Sequence, residues 1–182
     1  MKYFVGYLIQ GIAAEYYAAI TQELSARFGI QNLAAKLPPH ITFKAPFEAD
    51  DITPFKEKLA AICEREAAMK LTLHGFGRFD ALGRVIFLEV ENDSELMRVA
   101  EEIASELESF GGDKKQLPRP LRLHASVARF LTPGQSEEIW NYLHARPLLH
   151  FDMQFDNLTL FSKAEGPWQV DTIFPFGSSI IR

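Results

Sequence analysis

Pro38-Pro39-His40-Ile41-Thr42-Phe43-Lys44 and Leu123-His124-Ala125-Ser126-Val127-Ala128-Arg129 are two versions of one pattern: histidine, apolar residue, hydroxyl residue, apolar residue. On an extended strand alternate side chains share a face, so His40 joins Thr42 and His124 joins Ser126 while the apolar partners pack inward. The two prolines push the preceding backbone into extended form and fix the entry into the first of these strands. The pattern predicts two strands, each presenting an imidazole beside a hydroxyl.

The surrounding sequence repeats along with the motif. A strand at Tyr3 to Gln10 precedes an amphipathic helix from about Ala13 to Arg27, stopped by Gly29, before the strand from His40 to Phe47. Thr53 as cap and Pro54 at the first position open a second helix reaching about Met69, followed by strands at Leu71 to Phe79 and Val85 to Glu91 joined by a Gly83 turn. The order then recurs: a helix from about Ser94 to Phe110 ended by Gly111-Gly112, the strand Leu121 to Leu131, a helix from about Gly134 to Ala145, and strands around His150 to Phe161 and Trp168 to Phe174. His40 and His124 stand 84 positions apart in 182 residues, and Val5 and Val85 precede them by 35 and 39. Two copies at so long a period exclude a solenoid. They predict an α+β fold of one bilobal, pseudo-two-fold domain over residues 1–182, with a first repeat of about 1–82 and a second of about 83–182.

Composition narrows the function. No apolar run reaches the roughly 20 residues of a membrane span, and the N-terminus enters a strand pattern at once, so a cytoplasmic protein without membrane association is expected. A single cysteine, Cys63, excludes an intramolecular disulfide and a cysteine metal site, leaving a buried structural thiol. The net charge of −5 opposes non-specific coating of nucleic acid, which requires many neutralised phosphates, but permits one phosphate pocket. Lys114, Lys115, Arg119 and Arg122 form a local basic cluster before His124, either a solvated loop or part of such a pocket.

Two imidazoles near neutral pKa can divide proton donation and acceptance, as displacement at phosphorus requires, while Thr42 and Ser126 donate hydrogen bonds to the non-bridging oxygens. Neither hydroxyl has a base and orienting carboxylate beside it, so a nucleophilic serine or threonine is disfavoured. Strand alternation puts Lys44 on the face of His40 and Arg122 on that of His124, within reach of a bound phosphate or else at an exposed rim; Arg129 points away unless a bulge intervenes. His74, His144 and His150 have no such partners. Most aromatic residues must be core, with Tyr3, Tyr7 and Phe79 the candidates for stacking on a base at the cleft rim.

The two tetrapeptides, with Pro38 to Lys44 as a first motif region and Leu123 to Arg129 as a second, resemble the 2H phosphoesterase superfamily, which includes bacterial 2'-5' RNA ligase-like proteins and cyclic nucleotide phosphodiesterases. The resemblance spans the chain in layout. It implies two antiparallel sheets lining a central cleft with helices outside, no required metal or other cofactor, and a phosphoesterase acting on 2',3'-cyclic phosphates or 2'-5' linkages of RNA ends or small nucleotides. It makes His40 and His124 the acid/base pair, in either order, and Thr42 and Ser126 the phosphate-binding hydroxyls. Ser126 stands where threonine is commoner. A monomer is expected. Two readings compete: a catalytically silent nucleotide or RNA-end binding module using the same cleft, which would not need two titrating groups, and a metallohydrolase, which would need more ligands than two histidines.

Overall fold

The chain is described from a computed structural model covering residues 1–81, 84–108 and 117–177. Its elements run β1 (Lys2–Leu8), α1 (Gly11–Phe28), β2 (His40–Glu48), α2 (Thr53–Arg65), β3 (Met69–Phe79), β4 (Val85–Val90), α3 (Ser94–Glu108), β5 (His124–Ala128), α4 (Pro133–His144), β6 (His150–Phe155), β7 (Asn157–Lys163) and β8 (Gln169–Pro175). The Gly83 turn, the helix end at Phe110 to Gly112, Lys114 and Lys115 lie outside the described residues.

Local chemistry accounts for the helix ends. Gly29 adopts φ 64°, ψ 25° and its N–H bonds the Ser25 carbonyl, closing α1 as its position predicts. Helix α2 does begin at Thr53-Pro54, but Thr53 is not its cap. The Asp51 carboxylate accepts the Thr53 N–H at 2.9 Å instead, which holds its pKa below the usual carboxylate value. Asp93 does the same for Glu95 and Leu96 at the head of α3, and Thr132 with Gln135 forms a capping box on α4.

The strands form two antiparallel four-stranded sheets, ordered β2-β1-β7-β8 and β5-β4-β3-β6. Each sheet takes strands from both halves of the sequence: β3 pairs with β4, while β7 and β8 return to β1. The sheets therefore do not divide at residues 82–83. The helices also cross over, α1 packing against β5 and α3 against β2, so that β2 and β5 lie side by side.

Alternation sorts the β1 side chains. Tyr3, Val5 and Tyr7 enter the main core with α1, α2, α3 and the facing side of the other sheet, while Phe4 faces the opposite way with Phe161 and Leu37. Helix α3 buries Leu96, Val99, Ala100, Ile103, Ala104 and Leu107, a stripe at helical spacing. Phe43 and Phe155 stack 5.1 Å apart across the two sheets. Tyr7 of β1 ties them further by donating to the Gln154 carbonyl of β6, and Tyr17 ties α1 to β5 by donating to the Ser126 carbonyl, each at 2.9 Å. Cys63 is buried, its thiol pushed up to about 12 chiefly by burial.

Candidate active site

Each of the adjoining strands β2 and β5 opens on a histidine, and both imidazoles are held in one way. His40 Nδ1 lies 2.8 Å from the Pro38 carbonyl and His124 Nδ1 lies 2.6 Å from the Arg122 carbonyl, in each case two residues upstream. A carbonyl can only accept, so the contact assigns the proton to Nδ1 and leaves the lone pair on Nε2. Both rings rest on paired phenylalanines. His40 packs at 4.8 Å from Phe4 and 5.5 Å from Phe161, and His124 at 4.8 Å from Phe87 and 5.1 Å from Phe79.

The pairing is similar on the two sides but not identical. Gly6 stands opposite Thr42 where Phe87 stands opposite Ser126. A Cβ on Gly6 would lie 2.7 Å from the Ile41 carbonyl oxygen, so glycine is required for the strands to approach there. On the other side Gly77 leaves room for Phe87, since a Cβ there would meet the ring at 2.3 Å. Thr42 and Ser126, both half-buried, follow their histidines on the same face.

This environment favours neutral imidazoles. Burial brings His40 down from 6.5 to about 4; the Pro38 carbonyl opposes the shift, and the positive charges of Arg129 and His124 add to it. His124 is also lowered, first by burial and then by the Arg122 charge, against the Arg122 carbonyl.

The cations depart from strict alternation. Thr42 pairs with Gly6 but Lys44 with Val5, so two residues of β2 oppose one of β1. This bulge turns Lys44 onto the core face of Val5, where it is buried with Nζ 5.2 Å over the Phe47 ring. The expected shared face with His40 and Thr42 is thereby corrected. β5 carries the same irregularity: Ser126 pairs with Phe87 and Ala128 with Ile86. There the bulge turns Arg129 toward the histidines. Its charge acts on His40, and its buried Nε has no hydrogen-bond partner among the described residues. Arg122 sits over Phe79 and Phe87 at 5.3 and 4.9 Å and pairs with Glu89, which stands opposite His124.

A pocket of about 650 Å³ is walled by β3, β4, α3 and residues 117–123 leading into β5, and is bordered by both Thr42 and His124; His40 and Ser126 do not line it. Phe79 lines it, whereas Tyr3 and Tyr7 belong to the core. Arg119 is drawn away by Glu101 and Glu108. His150 pairs with Asp152 on the surface, His144 stacks on Trp140, and His74 lies opposite Glu89.

Two sheets meeting along their motif-bearing strands, with a backbone-anchored histidine and a hydroxyl on each, define a 2H phosphoesterase. The model of the 2'-5' RNA ligase superfamily matches residues 13–167, and the chain belongs to that family. It is 30% identical over 146 residues, 79% of this chain and 81% of the other, to a protein of Geobacillus kaustophilus whose name assigns it provisionally to the phosphoesterases. A similarly named protein of Bacillus licheniformis is 25% identical over the same length. Among solved structures, TT0787 of Thermus thermophilus superposes with a TM-score of 0.64 at 19% identity, covering 98% of this chain and 100% of its own. LigT of E. coli, complexed with 3'-AMP, superposes with a TM-score of 0.59 at 16% identity, covering 96% and 97%. These two share the fold. Among the described residues no helix is long and apolar enough to cross a membrane.

Proposed function

We propose that the chain is a metal-independent hydrolase of 2',3'-cyclic phosphates or 2'-5' phosphodiesters on small nucleotides or RNA ends, acting as a monomer. One observation carries the reading: on the adjoining strands β2 and β5 both imidazoles are fixed through Nδ1 by the same backbone contact, which leaves Nε2 of each as the nitrogen that can exchange a proton. LigT has been solved with NADP+, with 3'-AMP and with ATP, which supports a nucleotide as the ligand of this cleft.

His40, held neutral by burial and flanking positive charge, is the base. Its Nε2 takes a proton from water as the water oxygen bonds phosphorus. The bond from phosphorus to the leaving ribose oxygen breaks, and His124, protonated at Nε2, gives that oxygen its proton. An anionic phosphate beside His124 raises its pKa from the depressed resting position and so charges the acid when substrate arrives. Thr42 and Ser126 hydroxyls donate to the non-bridging oxygens, and the unpartnered Arg129 Nε–H supplies a further charged donor.

The test is turnover of adenosine 2',3'-cyclic phosphate and of a cyclic-phosphate-ended RNA oligomer, with and without EDTA, by the wild type, His40→Ala and His124→Ala. EDTA-resistant turnover that falls by roughly 100-fold or more in each variant is expected. Binding without turnover would instead mark a silent nucleotide-binding module, and EDTA sensitivity a metal-dependent reaction.

A further inference from the structure

Arg119, Arg122 and Arg146 are each held by a carboxylate. Arg129 has no such partner among the described residues and its buried Nε lacks a hydrogen bond there, while its charge acts on His40. A long side chain without a fixed partner keeps one position only if its surroundings define it, against the entropy of its rotamers. Two residues do so, one on either side of Arg129. The β5 bulge falls between Ser126 and Ala128, immediately before it. A bulge breaks the ladder, and backbone groups at the break need partners from elsewhere. The fully buried Tyr17 of α1 supplies one, donating its hydroxyl to the Ser126 carbonyl at 2.9 Å. The Arg129 charge is felt at that same hydroxyl. On the far side Phe130 sits at φ 59°, in the left-handed region that bulky residues enter only with strain. Burial does not offset that strain, because Phe130 is 76% exposed. Its ring lies under the Arg129 guanidinium, with Cζ 5.4 Å from the centroid.

We infer that Tyr17 and Phe130 are positioning residues for Arg129: the Tyr17 hydroxyl fixes the bulge that turns Arg129 toward His40, and the Phe130 ring steadies the guanidinium there. The inference rests on the reaction proposed above and adds two residues outside both motif regions on which it depends. A tyrosine that only filled the core would be matched by phenylalanine, and an exposed phenylalanine without a task would be bettered by glycine at that φ. His40 reports on the position of Arg129. Phe4 of β1 and Phe161 of β7 face it as apolar rings and the Pro38 carbonyl as an uncharged acceptor, while the charges of Arg129 and His124, both from β5, hold its pKa down. Displacing Arg129 therefore raises the pH at which His40 protonates.

Nitrogen NMR of ring-labelled histidine, assigned with His40→Gln, follows that protonation without turnover. Tyr17→Phe and Phe130→Gly should each move the His40 midpoint upward by roughly 0.3 pH unit or more, in the direction of Arg129→Met and by less. In an Arg129→Met background neither should move it further, since the charge they position is gone. Hydrolysis of adenosine 2',3'-cyclic phosphate should follow the same pattern. There kcat falls roughly 5- to 10-fold in Tyr17→Phe, and the double variant with Arg129→Met is no slower than Arg129→Met itself. Phe130→Gly, at a backbone conformation that suits glycine, stays folded and carries the test should Tyr17→Phe not fold. An unmoved His40 midpoint in either folded variant, or equal effects with and without Arg129, overturns the inference. Absence of turnover in the wild type, with the His40 shifts as expected, would count against the proposed reaction alone.

Discussion

Acidification tests the environment of His40 through stability. In the folded chain burial and the Arg129 charge keep the ring neutral down to about 4, whereas the unfolded chain takes up a proton near 6.5. Between those values the unfolded state binds the proton and the folded state refuses it, so stability is whole above 6.5 and drains away as pH falls toward 4. The full gap is worth roughly 3 kcal/mol, of which about 2 kcal/mol is lost between about pH 7.5 and about pH 5. Urea unfolding of wild type and His40→Gln at those two pH values isolates the contribution, because glutamine keeps a polar side chain but does not titrate. The wild type should lose about 2 kcal/mol more than the variant across the interval, with unchanged m-values. Parallel losses would show that the His40 ring is as accessible to protons as in a loose peptide, and the argument for a buried neutral base would fail.

Two further perturbations probe the frame. Gly77→Ala places a methyl 2.3 Å from Cε2 of the fully buried Phe87 and 3.1 Å from Arg122 Nη2, so the floor under His124 must shift. A melting measurement should show a loss of about 1–3 kcal/mol, accompanied by a fall in kcat. Lys44→Met should leave KM for a cyclic nucleotide within roughly two-fold, since its ammonium lies over Phe47 on the core face; a ten-fold rise in KM would return Lys44 to the phosphate.

The sequence made the main elements and the paired motifs readable because both depend on short-range periodicity. His40 with Thr42 and His124 with Ser126 share faces by the two-residue repeat alone. The cations were harder. One extra residue in β2 and one in β5 invert the alternation beyond the hydroxyls, which sends Lys44 inward and brings Arg129 to the histidines. No residue type at Phe43 or Val127 announces such a bulge. The sheets were less legible for a different reason: strand partners are chosen by burial over the whole molecule, so β6 could join β3, and β7 could join β1, without any local mark. The cap position falls at Ile52 rather than Thr53, with Asp51 taking the Thr53 N–H, a one-residue displacement of the kind common at helix starts.

The interleaving of strands also sets the timing of assembly during synthesis. Sheet β5-β4-β3-β6 draws on one uninterrupted stretch, Met69 to Phe155, whereas the sheet bearing His40 must join its first strands to Asn157–Pro175. A nascent chain can thus complete the His124 side while β1 still lacks β7, leaving an edge open until translation is nearly over. Competence for chemistry arrives with the last hairpin to emerge. Ribosome-bound chains ending at Asp156 and extended by a linker long enough to clear the exit tunnel should resist protease in β3, β4, β5 and β6 yet be cut within β1 and β2.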